Sequence, residues 1–96
     1  MRLDGYVLWK IRNALNAFLA NPSDDMCLKA WGIVCDVRKA YRNDGRLSDD
    51  VRSVISWTCR EFARYHIGSE SARLSAVGEL EHIRDVECSK EAIIDG

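Results

Sequence analysis

Cysteine and histidine are the residues of this 96-residue chain that could bind a metal ion or act as a nucleophile with its base. No two of the four cysteines form a C-x-x-C pair, and neither histidine completes zinc-ligand spacing with them. A disulfide framework would need an oxidising compartment, which nothing in the sequence indicates. We therefore expect reduced, mostly buried thiols and neither a metal nor another cofactor. These residues are Cys27, Cys35, Cys59, Cys88, His66 and His82.

Catalytic motifs do not occur in the sequence, which has no G-x-S-x-G, no H-E-x-x-H and no glycine-rich phosphate loop. The acid pairs Asp24-Asp25 and Asp49-Asp50 are explained as the first turns of helices. Gly32, isolated inside a predicted helix, indicates a close helix–helix contact. The cysteines fall on apolar helix faces and the histidines near polar ones, which disfavours Cys–His catalysis. We predict that the protein is not an enzyme.

Arginines recur at helical spacing on the predicted third helix, as Arg52, Arg60 and Arg64, with Trp57 beside them. Arginine can bind phosphate through paired hydrogen bonds and tryptophan can stack on a base, so this stripe is typical of nucleic-acid binding. Basic residues at the end of the second helix and just after it would extend this stripe, namely Arg38, Lys39, Arg42 and Arg46. The other interpretation is a solvated face with Arg60 stacked on a partly buried Trp57. The net charge of −1 favours this second interpretation.

Three breaks divide the chain, at Asn21-Pro22, Asn43-Asp44-Gly45 and Ile67-Gly68-Ser69, and each leads into a serine that can cap a helix. The capping residues are Ser23, Ser48 and either Ser69 or Ser71. The pattern predicts an all-α fold in which residues 1–96 form a single, compact four-helix domain, either an orthogonal or an up-down bundle. The helices are predicted over residues 4–20, 24–41, 49–66 and 71–88, with a frayed tail over residues 89–96.

The first helix carries Trp9 on its polar side, opposite an apolar face that includes Ile11, Leu15 and Phe18. Two interpretations are open. Either the first turn bends and Trp9 tucks over a neighbouring loop, or Trp9 is an exposed anchor for an interface.

The second helix is apolar around most of its circumference, and its polar stripe is narrow: Asp25, Lys29, Gly32, Asp36 and Lys39. A helix of this kind is buried by several neighbours, so it is predicted to be the central helix or part of an oligomer interface. A two-fold homodimer is the commonest way to bury such a surface. The possible dimer contacts are Trp31, Val34, Cys35 and Arg38.

Charge and hydropathy set the remaining expectations. Residues 1–78 have a net charge of +3 and residues 79–96 a net charge of −4, which together give the −1 of the chain. The acidic end is either a solvated tail or a contact for a basic surface. No signal-peptide pattern opens the chain and no apolar run approaches the length of about 20 residues that spans a bilayer. We therefore expect a cytoplasmic protein without a membrane association.

Three tryptophans, the apolar second helix and the split charge all favour protein binding. We expect a non-catalytic protein–protein interaction domain that acts as a small adaptor, inhibitor or regulator of a larger protein. Phage and mobile-element proteins of host takeover and anti-defence are often of this size and composition. By this analogy, that type is included among the expected functions. The predicted partner-binding residues are Trp9, Trp57, Arg52, Arg60 and Arg64. The alternative is a small helical nucleic-acid-binding regulator that uses the arginine stripe.

Overall fold

The computed structural model describes residues 2–90, and all regular structure in this range is helical. The elements are α1 (Leu3–Ala20), α2 (Asp24–Ala40), α3 (Asp49–Ile67) and α4 (Glu70–His82), followed by a π-helical turn (Ile83–Glu87) and a 3₁₀ turn (Cys88–Lys90). The all-α class and the four predicted helices are confirmed. The predicted tail begins inside the 3₁₀ turn, and its residues 91–96 lie outside the described part of the chain.

Serine caps begin three of the four helices, as predicted. Each hydroxyl oxygen accepts a hydrogen bond from the backbone N–H three residues later: Met26 to Ser23 (3.2 Å), Val51 to Ser48 (3.2 Å) and Ala72 to Ser69 (3.4 Å). Ser69, rather than Ser71, is therefore the cap of α4. The Asp4 carboxylate accepts a hydrogen bond from the backbone N–H of Ser48 (2.9 Å). This bond ties the first turn of α1 to the positive end of α3.

The core lies between α1 and α3, and α4 covers it. The ring of Phe18 meets the rings of Phe62 and Tyr65 edge to face, with centroids 5.4 Å and 5.0 Å apart. The other large side chains buried there are Val7, Leu8, Ile11, Leu15, Val54, Ile55, Leu80 and Ile83. Helix α1 contacts every other helical element of the described chain.

The prediction that the second helix is central is wrong. Helix α2 packs against α1 and α3. Its first residue, Asp24, forms an ion pair with Arg73 on α4 (2.9 Å). It buries four small or medium side chains, Cys27, Ala30, Val34 and Val37. The larger apolar side chains of α1 and α3 fill the core, so Ile33 and Leu28 on α2 stay exposed.

Gly32 on α2 is exposed, and a Cβ atom there would meet nothing within 4 Å. The close helix–helix contact predicted at Gly32 is therefore wrong. The homodimer stays a prediction.

The chain after α4 continues as a π-helical turn, where the sequence pattern predicts a regular helix to residue 88. The backbone N–H of Cys88 donates to the carbonyl oxygen of Ile83, five residues back. In a regular α-helix, residues five apart point to different faces. The wider turn lets Ile83 and Cys88 both be fully buried against the core.

Candidate functional site

The predicted arginine stripe does not exist as one surface, because its three arginines have different surroundings. Arg52 is bound to the backbone at the end of α2. Its guanidinium donates to the carbonyl oxygens of Tyr41 (3.1 Å), Arg42 (2.9 Å) and Asp44. The carbonyl oxygens of Tyr41 and Asp44 also accept backbone hydrogen bonds within the loop, from the N–H groups of Asp44 (3.3 Å) and Leu47 (3.2 Å). Arg52 therefore holds the α2–α3 loop in place.

Arg64 forms an ion pair with a buried carboxylate. Its guanidinium donates to the carboxylate of Glu61 (2.7 Å) and to the hydroxyl of Ser75 on α4. Glu61 is only 6% exposed, so its charge needs this partner. Arg64 is thus committed within the fold, and Arg60 is the one member of the stripe whose guanidinium has no carboxylate or carbonyl partner among residues 2–90.

Trp57 lies on the α4 side of α3, away from the groove in which Arg60 lies. Its indole packs against the His82 ring, with centroids 5.9 Å apart, and it is half-buried. The described residues show no stacking of Arg60 on Trp57, so that predicted contact is wrong. Trp57 joins α3 to α4.

A basic groove runs between α2 and α3, with a volume of ≈ 410 Å³. Its lining consists of Trp31, Cys35, Arg38, Lys39, Arg42, Ser56, Cys59 and Arg60. Four of these side chains are cationic and none is a carboxylate. The groove brings Arg60 together with Arg38, Lys39 and Arg42 of the predicted extension. Arg46, the fourth residue of that extension, does not line the groove and pairs with Asp44 instead.

Three of the four predicted dimer contacts, Trp31, Cys35 and Arg38, line this basic groove. The fourth is wrong, because Val34 is fully buried in the core and has no surface to offer a second copy. Trp31 is half-buried, and its indole lies 6.2 Å from the His66 ring.

The four cysteines are free thiols, and three of them are buried. Burial raises the pKa of Cys27 to about 11, and the nearby Asp24 charge adds to this; its thiol lies 3.5 Å from the Phe62 carbonyl oxygen, to which it donates. Burial also raises the pKa of Cys59 to about 11, helped by the adjacent Cys35 thiol and opposed by Arg38. These two thiols are protonated at neutral pH and are poor nucleophiles. Cys35 is the half-buried cysteine, and it faces the basic groove.

An apolar groove lies on the other flank of α2, against α1, with a volume of ≈ 350 Å³. Its lining consists of Trp9, Lys10, Asn13, Ala14, Ala17, Met26, Lys29, Ala30 and Ile33. Trp9 is 41% exposed and Ile33 is 42% exposed. The first turns of α1 are regular, and Trp9 lies beside the Tyr6 ring (centroids 6.1 Å apart) rather than over a loop. Of the two interpretations of Trp9, the exposed one therefore fits the structure.

Sequence reasoning missed Ile33 and Met26 as members of this groove. Both belong to an apolar arc that was expected to be buried, and Trp9 stood alone on a polar face. One signal in the sequence points to this groove. Trp9 lies on the first helix, the helix with the wide apolar arc is the next one, and consecutive helices tend to pack together.

No group of three or more His, Cys, Asp or Glu side chains within residues 2–90 is placed to hold a metal ion. None of the helices in that range is both long enough and apolar enough to cross a membrane. No family model, curated protein or solved structure matches this chain.

Proposed function

We propose that this protein is a non-catalytic interaction domain that binds a protein partner through the apolar groove between α1 and α2. The observation that carries the proposal is that Trp9 and Ile33, each about two-fifths exposed, line the same groove from facing helices. Tryptophan is the residue most enriched among interface anchors. Acting in this way, the domain serves as an adaptor, inhibitor or regulator of a larger protein.

The floor and margin of the groove suit a helical segment of a partner. Ala14 and Ala30 form a buried floor of small side chains, so a partner can approach the α1–α2 seam closely. Lys10 and Lys29 stand at the margin, and the ammonium of Lys10 lies 5.9 Å from the centre of the Tyr6 ring. Helix-in-groove recognition places apolar anchors in the seam and polar residues at its rim. The two lysines favour a partner with acidic residues beside its apolar ones.

Substitution at the groove tests this proposal. Immobilised wild-type protein and the variants Trp9→Ala and Ile33→Ala are incubated with extract of the source cells, and retained proteins are quantified by mass spectrometry. A true partner is retained at least 10-fold less by each variant, since loss of an anchor costs about 2 kcal/mol or more. Both variants stay folded but each loses some stability, because more than half of each side chain is covered in the fold.

Leu74→Ala is the matched control. Leu74 is an apolar side chain on α4, 70% exposed, and it lines neither groove. This variant retains the partner fully. Equal retention by the wild type and both groove variants would contradict the proposal, and a large loss of thermal stability in Trp9→Ala would place that indole in the core instead. Light scattering of the purified chain separates partner binding from self-association.

A further inference from the structure

The basic groove between α2 and α3 concentrates positive charge that the fold does not neutralise. Arg38 and Lys39 come from the last turn of α2, Arg42 from the loop that follows it, and Arg60 from α3. None of the four forms an ion pair within the described chain, although other arginines do, as in the pairs Arg46–Asp44 and Arg73–Asp24.

Helix capping explains only part of this charge. Cations in the last turn of a helix are stabilised by its negative end, which accounts for Arg38 and Lys39. Arg60 lies in the interior of α3, so the end of its own helix does not account for it, although its side chain shares the groove with the last turn of α2. Like charges confined to one groove repel one another, and an anion in the groove removes that repulsion. The placement of Arg60 opposite the α2 cations therefore points to an anionic ligand.

The lining selects the kind of anion. Three of the four cations are arginines, whose forked donors match phosphate oxygens. Trp31 lines the same groove and is half-buried, so one part of its indole is open to a base. Bases stack on such aromatic surfaces without regard to sequence. In a single strand the bases are free to stack on such a side chain, whereas in a duplex they are paired and stacked on one another.

We propose that the basic groove binds a single strand of nucleic acid, with its phosphates on Arg38, Lys39, Arg42 and Arg60 and one base against Trp31. This is a second binding surface, separate from the apolar groove and on the opposite flank of α2. It assigns the protein a nucleic-acid ligand in addition to a protein partner.

Fluorescence anisotropy with a labelled oligothymidylate and an oligouridylate of the same length tests the proposal. Wild-type protein binds at low salt, and the logarithm of the binding constant falls linearly with the logarithm of salt concentration. Because each cation contributes about 0.7 to that slope for a single strand, Arg38→Gln with Arg60→Gln lowers the slope by about 1.4 and weakens binding at least 10-fold. Trp31→Ala weakens binding at one salt concentration but leaves the slope unchanged.

Matched controls separate the groove from overall charge. Lys29→Gln removes a positive charge from the other flank of α2 and leaves binding to the oligonucleotides intact, as does Trp9→Ala. Trp9 lies in the apolar groove, so unchanged oligonucleotide binding by Trp9→Ala shows that this binding does not depend on the proposed protein-binding surface. If Lys29→Gln lowers affinity as much as either arginine substitution does, binding is non-specific and the proposal is overturned.

Cys35 provides a second measurement inside the groove. It is the half-buried thiol, while Cys27, Cys59 and Cys88 are buried, so a maleimide modifies Cys35 first. Oligonucleotide at a concentration that just saturates the wild type slows this modification several-fold, and slows it much less in the Arg38→Gln, Arg60→Gln variant, which binds at least 10-fold more weakly. The proposal is overturned if no oligonucleotide binds at low salt, or if a polyglutamate peptide of equal length displaces it and protects Cys35 better.

Discussion

Arg60 and Arg64 lie one turn apart on α3, yet only Arg64 is engaged with the fold. Arg64 pairs with Glu61, whose side chain is buried, while Arg60 extends into an open groove. A carboxylate that loses its partner inside a fold keeps the full cost of its desolvation. The same charge change at two neighbouring positions should therefore have very different effects on stability.

We expect Arg64→Met to lower the free energy of unfolding by about 1–3 kcal/mol, because it leaves the Glu61 carboxylate without its ion pair. Breaking a fully buried ion pair costs about 3–5 kcal/mol. The loss expected here is smaller, because the Arg64 side chain is 42% exposed. Arg60→Met is the control and should change stability by less than about 0.5 kcal/mol. Urea unfolding measures all of these variants.

The double variant Glu61→Gln, Arg64→Met completes this test. With the charge of residue 61 removed, a neutral amide costs less to bury than a lone carboxylate, so stability should recover relative to Arg64→Met alone. If the double variant is less stable than Arg64→Met, the ion pair is not what residue 64 contributes.

At the scale of elements, helix number and helix starts follow from local chemistry and are predictable from sequence. The Ser48 cap acts within three residues, so its pattern needs no knowledge of the fold. Burial is different, because an apolar arc shows that a helix can be covered but not which neighbour covers it. Ile33 stays exposed because larger side chains of α1 and α3 already fill the core.

The candidate site was predictable residue by residue but not as an arrangement. Trp9 and Arg60 were singled out by type, and both line grooves in the structure. Their groove neighbours depend on how α2 packs against α1 and α3, which spacing along one helix does not encode. For the same reason Arg52, two turns before Arg60 on the same helix, binds the α2–α3 loop instead.

The turn between α3 and α4 depends on a glycine for space rather than for backbone conformation. Gly68 has φ −82°, which any residue adopts, but a Cβ atom there would collide with the Arg64 carbonyl oxygen and lie 2.8 Å from the Ala72 Cβ. We expect Gly68→Ala to destabilise the protein by about 1–3 kcal/mol, because α3 and α4 must move apart. Thermal and urea unfolding measure the change.

Gly78 offers the opposite case on α4. It is exposed within a helix, and a Cβ atom there would meet nothing within 4 Å. Gly78→Ala should therefore stabilise the protein by about 0.5–1 kcal/mol, through the lower backbone entropy of the unfolded chain. Equal effects of the two substitutions would show that the α3–α4 turn is looser than the packing around Gly68 implies.

At the scale of the whole molecule, α2 separates two surfaces of different chemistry. The apolar groove on its α1 side suits a protein, and the basic groove on its α3 side suits an anion. A two-fold homodimer centred on the basic groove would place Arg38, Arg42 and Arg60 against their own copies, since such an interface brings each patch onto itself. This repulsion disfavours the basic groove as a homodimer interface.

Global stability should fall at alkaline pH, because the fold keeps buried thiols protonated. The pKa of Cys27 rises from an ordinary value of 9.0 to about 11, mainly through burial. A group whose pKa is higher in the folded state contributes stability that is complete below its unfolded pKa and is lost as pH rises through the folded one. For Cys27 this window runs from about pH 9 to pH 11, with a loss on the order of 3 kcal/mol at about 1.4 kcal/mol per pKa unit.

Cys27→Ala removes this titration, so its stability difference from the wild type should shrink as pH rises from 9 to 11. Val34→Ala is the control, because it also removes buried atoms from α2 but has no titrating group. Its difference from the wild type should stay constant over the same range, as measured by urea unfolding at each pH. A Cys27→Ala difference that is equally constant would mean that burial in the folded state does not hold the Cys27 proton.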